Sequence, residues 1–317
     1  MLNNFIHYAT IVSVVGINSI GVGIGQGLTY AAAIKAMNQQ PSARNEISYI
    51  AFLGSALIET TAILSVSMSI MIIISSPEII NNYYGALAEF GIALALCLSG
   101  LTIGIVTSYP AQAACHAIAR QPFFDNKISL VMFITQSIIQ TPLIFSFIIA
   151  MFIKNQCMYV TSLPEALRLL GAGLCIGIGS VGPTYGLAYF ARTACNSIGR
   201  NRNAYNQILK FTLISEAIIE TPILFSLLIS LLLLFSAQTD DSLIRGVAFI
   251  SAALCTALGT LAPGISSAKT ASAACHHLAL QPELHAQLSR TSLFAQILID
   301  TSAMYPLLIS FVLILFT

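Results

Sequence analysis

Four positions in apolar sequence carry side chains that can bind a proton or imitate one that has: Glu59, Gln140, Glu220 and Asp300, separated by 81, 80 and 80 residues. The text around them repeats too, as Leu57-Ile58-Glu59-Thr60-Thr61, Ile138-Ile139-Gln140-Thr141-Pro142, Ile218-Ile219-Glu220-Thr221-Pro222 and Leu298-Ile299-Asp300-Thr301-Ser302. Every copy keeps a threonine directly after the variable site. A carboxylate at the centre of a bilayer costs about 2.5–3.5 kcal/mol on insertion scales, so three acids at one repeat position call for a function. A hydrogen-bonded helix contact would account for one such acid, not for three at matched depth. An acid so placed escapes bare charge by binding a proton, binding a cation or meeting a basic partner, and switching among those states is what ion transport requires. Pro142 and Pro222 cannot donate to the carbonyl four residues earlier, which frees the oxygens of Ile138 and Ile218. Each freed oxygen, with Thr141 or Thr221, either serves the site side chain or a cation, or marks a kink with no ion role.

The elements that must hold these sites are membrane helices. With charged residues at 8% and hydrophobic residues at 56% of 317, the chain cannot present an ordinary charged surface to water. Eight spans are predicted, over 9–37, 47–75, 84–119, 128–153, 165–199, 208–236, 242–279 and 290–316, each long enough for a hydrocarbon core of ~30 Å. The first has no basic leader and reads as a retained helix, not a signal peptide. A net charge of +1 argues against a nucleic-acid partner. Lys35, Arg44, Arg120, Lys127, Arg192, Arg200, Arg202, Lys210, Lys269 and Arg290 flank the loops inside the predicted hairpins, whereas Lys154, Arg168 and Arg245 lie near the connections between them. Ten against three places the hairpin loops in the cytoplasm and both termini on the opposite side.

The chain therefore divides into four two-helix units, expected at 1–80, 81–160, 161–240 and 241–317. Each has a polar loop: Asn38-Gln39-Gln40-Pro41, Arg120-Gln121-Pro122, Gly199-Arg200-Asn201-Arg202 and Leu280-Gln281-Pro282. From Gln40, Gln121, Asn201 and Gln281 to the site is 19 residues in every unit. First helices are rich in small residues, most plainly Gly21, Gly23, Gly25 and Gly27, then Gly171, Gly173, Gly177 and Gly179, which lets backbones approach closely in lipid. A tight inner layer of first helices is expected. Cys115, Cys195 and Cys275 recur at intervals of 80, and no Cys-x-x-Cys pair occurs, so they read as small packing residues and not metal ligands.

These features together resemble the proteolipid, or c-subunit, of F-type rotary ATP synthases, four times over. Unit one matches best, with Gly21-Val22-Gly23-Ile24-Gly25-Gln26-Gly27, Gln40-Pro41 and Gly54-Ser55-Ala56-Leu57-Ile58-Glu59-Thr60-Thr61. The resemblance implies a ring of hairpins that carries ions on Glu59, Glu220 and Asp300 past the a-subunit of the stator, converting ion flow into rotation and ATP synthesis. It implies no catalytic centre and no cofactor in this chain. Other copies of the ring protein, membrane lipid and the central-stalk subunits gamma and epsilon are the implied partners. The stalk would be gripped by Gln40, Pro41, Arg44, Arg120, Gln121, Pro122, Arg200, Asn201, Arg202, Gln281 and Pro282. The implied location is the bacterial inner membrane. Gln140 departs from the pattern, because a glutamine cannot titrate, and unit two should pass the stator without an ion.

Sodium-binding members of that family place a glutamine on the first helix and hydroxyls after the acid. Unit one has Gln26, 33 residues before Glu59, with Thr60 and Thr61 behind it, so a sodium ion at Glu59 with Gln26 is the alternative cargo. The same count back gives Thr107, Leu187 and Ser267, and the residue two after the site is Pro142, Pro222 or Ser302. Thr221, Thr301 and the Ile218 carbonyl complete the candidate ligands. A rotor must load one ion at successive sites, which favours the proton. Glu216, one turn before Glu220, reads as a neutral hydrogen-bonding acid, with a second proton position as the other reading. A vacuolar or archaeal-type proteolipid also uses fused hairpins. A secondary cation transporter is the rival of another class, disfavoured by the absence of inverted repeats and of clearly broken helices.

Overall fold

The computed structural model describes residues 2–74, 82–236 and 242–316. The predicted end of the second span at residue 75 and the unit boundaries at 80/81 and 240/241 lie outside the described residues. Among the described residues ten α-helices follow in order: α1 (Leu2–Gln39), α2 (Arg44–Ile74), α3 (Tyr83–Val106), α4 (Ser108–Arg120), α5 (Asp125–Ile139), α6 (Thr141–Cys157), α7 (Leu163–Arg200), α8 (Tyr205–Phe235), α9 (Leu243–Leu280) and α10 (His285–Phe316). Eight stretches are long and apolar enough to cross a membrane, as the sequence predicts, because α3 with α4 and α5 with α6 each make one span. In a bilayer the backbone must satisfy its own polar groups, which leaves helices as the solution for text of this kind. Among the described residues there is no strand.

The two interruptions both fall in unit two and differ from the expectation of unbroken helices. Pro110 and Pro142 each remove an amide donor, three residues after Thr107 and two after Gln140. Thr107 (φ −59°, ψ −19°) and Gln140 (φ −89°, ψ −11°) nevertheless stay in the right-handed region, so each pair of helices continues in one direction. These are single-residue breaks and not the unwound segments of a transporter. Pro222 holds the same register as Pro142, yet α8 runs through it.

All four loops share one conformation. Gln40, Gln121, Asn201 and Gln281 have φ between −133° and −139°, and each leads into a 3-10 turn at Pro41–Ala43, Pro122–Phe124, Arg202–Ala204 or Pro282–Leu284. Proline suits the first position of such a turn because it has no amide hydrogen to leave unpaired. In unit three Arg202 stands there, and the Asn201 side chain accepts from the Asn203 amide instead (3.0 Å).

First helices pack on one another in chain order, α1 on α3, α3 on α7 and α7 on α9, with second helices alongside. Glycine sets the approach. A Cβ on Gly104 would lie 2.8 Å from the Gly21 carbonyl carbon, one on Gly91 2.9 Å from the Leu169 oxygen, and one on Gly264 2.5 Å from Pro183 Cα. Within three units a second-helix serine closes the hairpin onto a first-helix carbonyl: Ser69 to Ile11 (3.3 Å), Ser230 to Ala172 (2.9 Å) and Ser310 to Ala252 (2.7 Å). Unit two has Ala150 at that register and no hydroxyl to give.

Polar side chains also tie unit to unit. His7 of α1 and Glu89 of α3 form a buried pair at 2.7 Å. Gln121 Nε2 donates to the Gly199 carbonyl (3.2 Å) and Asn201 Nδ2 to the Ala279 carbonyl (3.0 Å), so the loop amides of units two and three reach the next unit. Gln40 donates instead to Ser42 (2.8 Å). At the other end, Arg168 donates to the carbonyls of Leu233 (3.1 Å), Leu234 (2.9 Å) and Ser236 (3.2 Å), capping α8 with the positive charge that a helix C-terminus favours.

Candidate ion-binding site

Each site residue lies midway along a second span, Gln140 at the break between α5 and α6. At two of the four sites the side chain is met by the unit before it. Thr60 Oγ1 donates to Gln140 Oε1 at 2.5 Å, and Gln140 Nε2 donates to the carbonyl of Leu57. One repeat on, Thr141 Oγ1 donates to Glu220 Oε1, again at 2.5 Å. The threonine after one site thus serves the next site, about one repeat along the chain. The carbonyl two residues before a site does the same where Leu57 meets Gln140, without any proline to free it.

The Gln140 amide uses both its ends. Its oxygen accepts from a threonine and its nitrogen donates to a carbonyl, which are the two bonds a protonated glutamic acid makes with its C=O and O–H. At Glu220 the same contact recurs. Thr141 Oγ1 lies 2.7 Å from the Ile138 carbonyl and 2.5 Å from Glu220 Oε1. Thr60 has the same pair of neighbours, the Leu57 carbonyl at 2.8 Å and Gln140 Oε1 at 2.5 Å, so the two junctions share one geometry.

The other two acids depart from this pattern in opposite ways. Asp300, one methylene shorter, is buried at 8% exposure and turns to its own hairpin, where Ser267 Oγ donates to Oδ1 at 2.9 Å. Ser267 stands 33 residues before Asp300, the register that Gln26 holds to Glu59. Glu59 is exposed, and among the described residues it has no hydrogen-bond partner; Gln26 is half-buried and makes no bond to it. Thr61 is buried behind Glu59 with its hydroxyl unpartnered. Thr221 donates to Ala217 (3.3 Å) and Thr301 to Leu298 (2.7 Å), each within its own helix, and among the described residues no side chain is bonded to the Ile218 carbonyl. The Thr107 hydroxyl turns back to Ile103 (2.6 Å), and Leu187 offers no ligand.

A second polar layer lies one turn earlier, at Ser55, Gln136, Glu216 and Gln296, all buried. Gln136 Nε2 donates to the Thr107 carbonyl (2.8 Å) and to Gly54 (3.4 Å); Gln296 Nε2 donates to Ser215 (3.3 Å) and Ser292 (3.1 Å). Gly54 and Ser215 belong to the preceding units, so this layer also bridges units. Glu216 makes no such bond, contrary to the expectation of a hydrogen-bonding acid: both its oxygens are buried and unpartnered.

At the loop end, Arg44, Arg120, Arg200 and Arg202 are exposed, as are Pro41 and Gln281, while Gln40, Pro122 and Pro282 are half-buried. Arg120 donates to Asn196 (2.9 Å), and Arg200 meets His276 at 2.5 Å. A cleft of about 470 Å³ between the loops of units two and three is lined by Arg120, Phe123, Arg200 and Arg202. Among the described residues no group of three or more His, Cys, Asp or Glu could hold a metal ion.

A family model for the C-subunit of ATP synthase matches the chain four times, over residues 10–72, 90–153, 170–233 and 250–313. The ATP synthase c-subunit of Mesomycoplasma hyopneumoniae is 41% identical over 71 residues, 22% of this chain and 69% of its own length. That of Dehalococcoides mccartyi is 36% identical over 73 residues, 23% of this chain and 96% of its own. A protein of Cereibacter sphaeroides named as ATP synthase c-subunit 2 is 38% identical over 63 residues, 20% of this chain and 76% of its own.

Proposed function

The chain belongs to the ATP synthase c-subunit family as four fused repeats in one integral membrane protein, and from that premise we propose that it is a rotor subunit carrying protons on Glu59, Glu220 and Asp300. Several copies would close a ring, the four hairpins at 1–80, 81–160, 161–240 and 241–317 each counting as one step. The observation that carries this reading is the recurring junction in which Thr60 meets Gln140 and Thr141 meets Glu220. By the same register Thr301 of one copy would meet Glu59 of the next, and both are exposed, in the last and the first unit.

Glycine supports the same closure. Gly104 and Gly264 are pressed against the first helix of the preceding unit, while Gly23, at the same register in unit one, has open space around it. A small residue kept where nothing packs is explained by a neighbouring copy that seats there. Gln140 supplies the loaded geometry without the ability to discharge, so unit two would pass the stator empty. Three ions per four hairpins is a quarter fewer than an all-acid ring of that size carries.

Protons are favoured over sodium by the ligand register, where Gln26 does not reach Glu59 and the Leu187 side chain has no oxygen. The exposed arginines and the prolines of the loops would seat the gamma and epsilon stalk subunits on the cytoplasmic side of a bacterial inner membrane, with ATP made in the partner head and no catalytic group here. The test is ATP-driven transport by the purified complex in sealed vesicles. Acidification that is indifferent to sodium and abolished by a protonophore is expected; sodium uptake that persists with the protonophore would contradict the cargo.

A further inference from the structure

Unit three differs from the others in two linked places. At the first-helix register where unit one has Gln26, unit two Thr107 and unit four Ser267, it has Leu187. At the second-helix register where the others have Ser55, Gln136 and Gln296, it has Glu216. A carboxyl has thus replaced an amide or hydroxyl in the unit whose polar facing group is missing. Glu216 is fully buried, and neither oxygen has a hydrogen-bond partner. Nothing offsets the loss of its water, so charge is costly there and Glu216 holds a proton more tightly than the half-buried Glu220 does. Packing does not require the acid, since glutamine fills the same place in units two and four and bonds the preceding unit from it.

Among the described residues the titratable groups within electrostatic reach are Cys195 of α7 and Glu220. Glu220 lies four residues on, one turn along the same face of α8. It is half-buried where Glu216 is sealed, which makes Glu220 the more accessible of the two carboxyls. We propose that Glu216 and Glu220 form a two-carboxyl proton store: Glu220 exchanges with the outside, and Glu216 holds a second proton behind it. In the transfer the Glu220 side chain turns from Thr141 to Glu216, its O–H bond breaks as one forms on the Glu216 carboxylate, and Glu220 is left as a carboxylate that binds the next proton. Unit three then takes up two protons beside a unit two that takes none, and the chain binds four although it has only three acids at the site register. This deepens the rotor reading and rests on it.

The experiment is a proton-uptake titration of the purified complex, per copy of this chain, from alkaline to acid pH. Glu216→Gln is expected to lose one proton relative to the unsubstituted complex and Glu220→Gln to lose two. Because glutamine and serine are native at this register, Glu216→Gln and Glu216→Ser are both measured, and either one that assembles decides the point. Uptake unchanged by both substitutions would overturn the store, and a loss of only one proton in Glu220→Gln would overturn the order in which the two carboxyls load. The rotor reading fails separately, if Glu59→Gln and Asp300→Asn also leave uptake unchanged.

Discussion

Glu220→Gln should reduce ATP-driven proton transport by at least tenfold, about 1.4 kcal/mol on the limiting step, while the complex remains assembled. Assembly is preserved because glutamine makes this junction already: Gln140 accepts from Thr60 at the place where Glu220 meets Thr141. Transport fails because units two and three become an uninterrupted pair that carries nothing, and the ring must cover two steps without an ion to drive it. The substitution also cuts Glu216 off from the outside. Transport rates in vesicles, beside native electrophoresis of the same preparation, read both halves of the expectation. Assembled complex with undiminished transport would remove Glu220 from the carriers.

Gln140→Glu should do the reverse and add one ion per chain to each turn of the ring. The acid fits the site in its protonated form, since its O–H can replace the amide donor to the Leu57 carbonyl and its C=O can accept from Thr60. The free energy of ATP hydrolysis is then divided over more charges, so the largest gradient the enzyme holds against itself falls by about a quarter, or about a fifth if Glu216 travels as a fourth carrier. The limiting gradient at fixed ATP, ADP and phosphate measures this. An unchanged gradient in an active complex would mean that unit two does not reach the ion path.

Much of the fold can be read from the sequence because a repeat of about 80 residues fixes hairpin, loop and site together. The glycines of unit one and unit three point to close first-helix packing, and Gly104 on Gly21 realises it. What cannot be read is which unit each ligand serves. Thr60 follows Glu59 in sequence but faces Gln140 in space, and a contact about one repeat length away has the same spacing as the repeat itself. His7 and Glu89 carry a weaker signal of the same kind: two polar residues in apolar spans, 82 apart, slightly more than one repeat. The breaks at Thr107 and Gln140 are only half visible. Pro142 and Pro222 look alike in sequence, and the neighbouring residue that differs is Gln140, held by two bonds to unit one. Charge alone groups Asp300 with the glutamates, while its shorter side chain takes it to Ser267 instead.

The central claim is that mid-membrane carboxyls of this chain bind and release protons, and dicyclohexylcarbodiimide tests it most directly because it modifies protonated carboxyls in apolar surroundings. Mass spectrometric mapping on the purified complex across pH should place adducts on Glu59, Glu220 and Asp300, fewer at alkaline pH, unprotected by sodium and absent from Gln140. No adduct on any of the three acids, in an intact complex that labels a control proteolipid beside it, would contradict the account.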